Sequence, residues 1–90
     1  MPAFLITYDL RKQRNYQPLY DLLRQWKAAR LLESVWLAEL AGPAATVRDL
    51  IRQRTDADDA VAVIELKAGF NWATIHCEPA GNQMLKRISP

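Results

Sequence analysis

The run Phe4-Leu5-Ile6-Thr7-Tyr8-Asp9-Leu10 restricts this chain more than any other segment. It is bulky and β-favouring, and it is apolar on both faces until Asp9. A strand of that kind needs cover on both sides of its sheet. The remainder of a 90-residue chain must supply that cover or share it with a partner subunit.

The next stretch, Arg11-Lys12-Gln13-Arg14-Asn15, reads as a basic loop, with Asn15 as a helix N-cap and Pro18 in the first turn. Tyr16, Leu19, Tyr20, Leu23 and Trp26 then recur at helical spacing and predict a helix over 16–29. Leu31 to Leu40 reads as a second strand, with Leu31, Val35 and Leu37 on one side and Leu32, Trp36 and Leu40 on the other. Gly42-Pro43 breaks the chain. Thr46 and Asp49 resemble a capping box ahead of a short helix with an apolar stripe of Val47, Leu50 and Ile51. Ala60 to Leu66 and Trp72 to Cys77 read as a third and a fourth strand, joined by a hairpin loop over 67–71. The tail, residues 79–90, is either disordered or a fifth element docked on this subunit or a partner.

These elements predict the α+β class: a ferredoxin-like sandwich over 1–78, with a four- or five-stranded antiparallel sheet and two helices on one face. The expected order departs from the ordinary pattern, because helix 2 precedes the third strand and the hairpin follows it. Two helices leave the second face open and partly apolar, which predicts a sheet-to-sheet homodimer.

Composition narrows the chemistry. One cysteine, Cys77, excludes an internal disulfide and CxxC motifs, and one histidine, His76, excludes multi-histidine metal sites. No apolar run approaches the roughly 18–20 residues of a membrane span, and Met1-Pro2-Ala3 shows no signal pattern. A soluble, cytoplasmic protein without a membrane partner is the expectation. The net charge of +2 hides an asymmetry: residues 1–54 hold nine Lys/Arg against five Asp/Glu, and residues 55–90 hold three against five. An anionic partner is therefore sought in the first part.

Asp9 ends the first strand and has two readings. It can hydrogen-bond loop amides or pair with Arg11 or Arg14. Alternatively it can ligate a metal, for which one carboxylate is a poor site and two copies across a two-fold axis a better one. Mg²⁺ or Mn²⁺ between them would relieve their repulsion and polarise a phosphodiester oxygen. Arg11 and Arg14 leave the same strand end, and Arg30 leads into the neighbouring strand; guanidinium suits bidentate phosphate contact. Arg48, Arg52 and Arg54 make a second basic surface. Tyr8 and Trp36 fit core packing, dimer contact or base stacking. Ser34 has no His or Lys at a spacing that would make it a nucleophile. Asp56, Asp58 and Asp59 lack the glycine and closing glutamate of an EF-hand.

A strand ending in Tyr8-Asp9, a basic loop, an amphipathic helix, then Arg30 followed by Glu33-Ser34-Val35-Trp36 resembles the CRISPR-associated protein 2 family, over roughly residues 3–66. The resemblance implies a ferredoxin-like homodimer with a metal held between paired first-strand aspartates, here Asp9. It implies either a metal-dependent endonuclease on RNA or DNA, or a non-catalytic core that meets the CRISPR integrase. By position, Tyr8, Asp9, Arg11 or Arg14, Arg30, Ser34 and Trp36 take the family's functional places. The tail carries no recognisable partner-swapping strand, so a stand-alone CRISPR-like relative, or one of the similar virulence-associated protein D ribonucleases, is also implied; a small dimeric stand-alone regulator is the remaining alternative.

Overall fold

The computed structural model describes residues 1–11 and 16–89. Strand β1 (Ala3–Asp9) is followed by helix α1 (Gln17–Gln25), strands β2 (Ala29–Leu32) and β3 (Val35–Glu39), helix α2 (Ala44–Arg52), strand β4 (Ala60–Leu66) and helix α3 (Pro79–Ile88). The strands form one antiparallel sheet in the order β2-β3-β1-β4. This is an α+β fold compatible with a ferredoxin-like sandwich.

Alternation in β1 sorts the core into two layers. Phe4, Ile6 and Tyr8 point to one face, where Leu19, Leu22 and Leu23 of α1 and Val47 and Ile51 of α2 cover them. Pro18 lies in the first turn of α1, where a missing N–H costs nothing. The helix stops at Trp26 because Lys27 takes φ +57°. It is therefore shorter than the 16–29 expected; Asn15 lies outside the described residues.

On the second face, Leu37 and Leu31 meet Met84 and Leu85 of α3, flanked by Leu5, Phe70 and Trp72. The long apolar strand β1 thus has helical cover on one face. Its second face is shared between α3, over the β2–β3 side, and an open strip toward β4.

Four expectations need correction. The segment Leu31–Leu40 is two strands, β2 and β3, folded back at a Glu33-Ser34 turn. Both arms favour β structure and no Gly or Asn marks the turn, so the alternation runs through it unbroken. The hairpin consequently precedes α2 rather than following β4. Second, Trp72–Cys77 is not a strand. The Lys67–Phe70 turn forms, with Gly69 at φ +82°, but the chain then crosses the second face. The Trp72 indole N–H donates to the Ser89 carbonyl (2.7 Å), Thr74 Oγ1 donates to Asn82 Oδ1 (2.8 Å), and His76 takes φ +59°, which ends extended structure. Third, the two-helix layout becomes three helices on two faces among the described residues, because the tail takes the docked alternative, as helix α3 on the chain's own β2. Fourth, α2 begins at Ala44 after Pro43 without a side-chain cap, so Thr46 and Asp49 form no capping box.

Candidate functional site

The register gathers the candidate residues at one end of the sheet. Thr7 lies opposite Val35 and Asp9 opposite Ala60, so the end of β1, the Glu33-Ser34 turn and the start of β4 are neighbours. Asp9 falls on the second face with Leu5 and Thr7. Its side chain is 74% exposed, and Arg11 Nε stands 3.8 Å from its carboxylate. A hollow of about 200 Å³ beside it is lined by Thr7, Tyr8, Asp9 and the first residues of β4.

Asp59 holds this corner together. One carboxylate oxygen accepts the Arg11 backbone N–H and the other accepts that of Asp56, both at 2.8 Å. That carboxylate clamps the outgoing end of β1 to the incoming end of β4. Ligand oxygens of Asp56, Asp58 and Asp59 lie within 4.8 Å of one another, which makes them the group of acidic side chains among the described residues spaced to hold a cation. Both oxygens of Asp59 already accept a backbone N–H. Asp9 is outside that group, so within one chain it offers a lone carboxylate, too little for an octahedral ion.

Tyr8 and Trp36 lie on the other face, under the helices, at 5% and 7% exposure. The Trp36 indole N–H donates to the Tyr8 hydroxyl (3.0 Å), and neither ring is open to a base. Tyr8, Tyr16, Tyr20 and Trp36 form a ring ladder with centroid spacings of 6.0, 5.5 and 5.8 Å. The Arg30 guanidinium sits 4.9 Å from both the Tyr20 and the Trp36 ring, and donates to the Tyr20 hydroxyl and the Glu33 carbonyl (3.2 Å). These are the contacts of a packed arginine stacked on aromatic faces. Sequence reasoning placed Tyr16 and Tyr20 on the buried face of α1 but did not join them to Arg30. The signal was their four-residue spacing opposite Tyr8.

Burial pushes the Tyr8 phenol above its usual pKa, only partly offset by the hydrogen bond from Trp36. For Arg30, burial works to lower the pKa, but the phenol oxygens of Tyr20 and Tyr8 outweigh it and raise the value.

The structure therefore brings Asp9, Arg11 and Ser34 to one polar end, with Tyr8 and Trp36 buried on the opposite face and the partly exposed Arg30 guanidinium stacked on Trp36 and Tyr20. Arg14 lies outside the described residues. On the second basic surface, Arg48 pairs with Asp49 (2.9 Å), Arg54 donates to the Pro18 carbonyl (3.3 Å), and Arg52 is exposed. No helix among the described residues is long and apolar enough to cross a membrane. No protein-family model matches the chain, and no solved structure matches it.

Proposed function

We propose that the chain is a ferredoxin-like homodimer acting on RNA or DNA, with metal-dependent phosphodiester hydrolysis at two Asp9 carboxylates brought together across a two-fold axis. The observation that carries the reading is the position of Asp9: exposed at the end of β1, on the strip of sheet that α3 leaves uncovered, with Arg11 beside it. Mg²⁺ or Mn²⁺ bound there would lower the pKa of a coordinated water and polarise the scissile phosphate. The residues of the chain contribute the rest. Asp9 supplies the ligating oxygens, Arg11 offers a guanidinium to a phosphate, and Asp59 fixes the strand end from which both project.

The test is cleavage of RNA and DNA by wild-type protein and Asp9→Ala, each titrated with Mg²⁺ and Mn²⁺. The expected outcome is a metal-dependent activity that Asp9→Ala lowers at least 100-fold, roughly what loss of a principal catalytic group costs. Equal cleavage by both proteins would remove the catalytic claim.

A second reading, a non-catalytic scaffold that binds nucleic acid or a CRISPR integrase, is favoured by the engagement of Tyr8, Arg30 and Trp36 in the core. It leaves surface charge as the means of binding. Under it, Asp9→Ala keeps nucleic-acid affinity, and Arg52→Ala reduces the salt dependence of binding by about one ion.

A further inference from the structure

The two edges of the sheet are treated differently. Edge strand β2 has four residues, its Leu31 carbonyl accepts the Glu78 N–H (3.0 Å), and α3 packs against it. Edge strand β4 has seven residues, Ala-Val-Ala-Val-Ile-Glu-Leu, without proline and with one charge, and among the described residues its only ladder partner is β1. Among the described residues no other backbone hydrogen bond reaches Ala60–Leu66. Ala62 is exposed, and Ile64 is 53% exposed on the second face. A long, flat, apolar edge of this kind pairs with another strand unless it is blunted.

We propose that β4 pairs antiparallel with β4 of a second copy of this chain, joining two four-stranded sheets into one of eight strands. A two-fold axis perpendicular to the sheet requires facing residues to share a face, so the axis passes beside a residue. Centred on Val63, the whole strand is used, with Ala60 opposite Leu66. The same register sets Asp59 opposite the partner's Lys67 at each end, so a Lys67 that pairs with Glu65 of its own strand (3.0 Å) gains a second carboxylate across the joint. Centring on Ala62 instead sets Asp59 opposite the partner's Glu65, a like-charge pair. On the helix side, a hollow of about 140 Å³ is lined by Ala44, Ala45 and Arg48 of α2 together with Val63. Two α2 helices meeting over the joint need about 8–10 Å between axes, and small alanine side chains allow it.

The contact is independent of the Asp9 reading. Asp9 is opposite Ala60, so in the eight-stranded sheet the two Asp9 residues lie about 20 Å apart along the strand direction alone.

The test combines light scattering on the full chain with a cross-link. In the Val63-centred register the two Val63 Cα atoms lie about 4.5–5.5 Å apart, within disulfide reach. Val63 faces the helices, so packing through the open sheet face cannot bring two copies of it together. Wild-type protein is expected to be dimeric through β4, or tetrameric where the Asp9 faces also meet, and Val63→Cys in a Cys77→Ser background is expected to form a covalent dimer under mild oxidation. Ala62→Lys with Ile64→Lys faces like charges across the joint and, added to that background, is expected to abolish the cross-link, its fold checked by circular dichroism. Lys67→Glu, beyond the strand, is expected to weaken the dimer several-fold at low salt and less at high salt. A wild-type chain monomeric at every concentration overturns the proposal. So does a dimer in which Val63→Cys fails to cross-link, whatever the lysine variant does.

Discussion

The Tyr8 hydroxyl accepts a hydrogen bond from the Trp36 indole inside the core, and burial holds the phenol's pKa above its usual value of about 10. Tyr8→Phe removes the acceptor and leaves a buried N–H unpaired, so unfolding free energy near neutral pH is expected to fall by about 1–3 kcal/mol. The pH dependence has a definite sign. Above about pH 10 the unfolded chain loses the Tyr8 proton while the folded chain keeps it, so the unfolded state binds fewer protons and stability falls as pH rises. The contribution is complete below the unfolded pKa and is lost through the folded one. Urea midpoints measured at about pH 8 and about pH 11 should therefore converge between wild type and Tyr8→Phe at the higher pH. A constant gap would show that Tyr8 carries no such linkage. The sequence identified Tyr8 and Trp36 as a packing pair or a stacking pair; only the facing direction of β1 and β3 separates the two, because each is decided by a pairing register across the sheet.

At the scale of elements, α3 was the least legible and is the most closely fitted. Its apolar residues Met84, Leu85 and Ile88 stand out in the sequence, but nothing local says which surface they cover. The decision is made at Gly81, where a Cβ would lie 2.6 Å from the Leu31 Cα and 2.7 Å from the Arg30 carbonyl oxygen. Both are backbone atoms of β2, so neither side can give way without moving an element. Gly81→Ala is expected to lift α3 from β2 and cost about 1–3 kcal/mol, an overpacking penalty. Amide hydrogen exchange should show lost protection in α3 and at Glu78, whose N–H donates to the Leu31 carbonyl, with the α1–α2 layer unchanged. Unaltered protection of α3 would mean that the helix tolerates the shift. The hairpin was illegible for a related reason. Glu33-Ser34 is a turn without turn-specific residues, and it is the pairing of Arg30 with Trp36 across it that defines two strands.

For the whole molecule, α1 and α2 on one face and residues 67–89 on the other divide the labour of covering the sheet. The helix-covered face and the position of Asp9 at a strand end follow from alternation and breaks that are visible in the sequence, whereas the strand order rests on the hairpin that is not. The cover of the second face does not, because it depends on residues 67–89 folding back rather than continuing the sheet. That segment buries Leu37 completely and Leu31 nearly so, against Met84 and Leu85. A chain ending after Leu66 keeps every element of the β-α-β-β-α-β order but exposes Leu5, Leu31 and Leu37 together. At about 1.5–3 kcal/mol for each large apolar side chain returned to water, the loss is comparable with the whole stability of a domain this small. The truncated chain is expected to bind a hydrophobic dye and to lose cooperative unfolding, as a packing-deficient compact state does. If it instead unfolded with the midpoint of the full chain, α3 would be an accessory to the fold, and the second face would be stable while open.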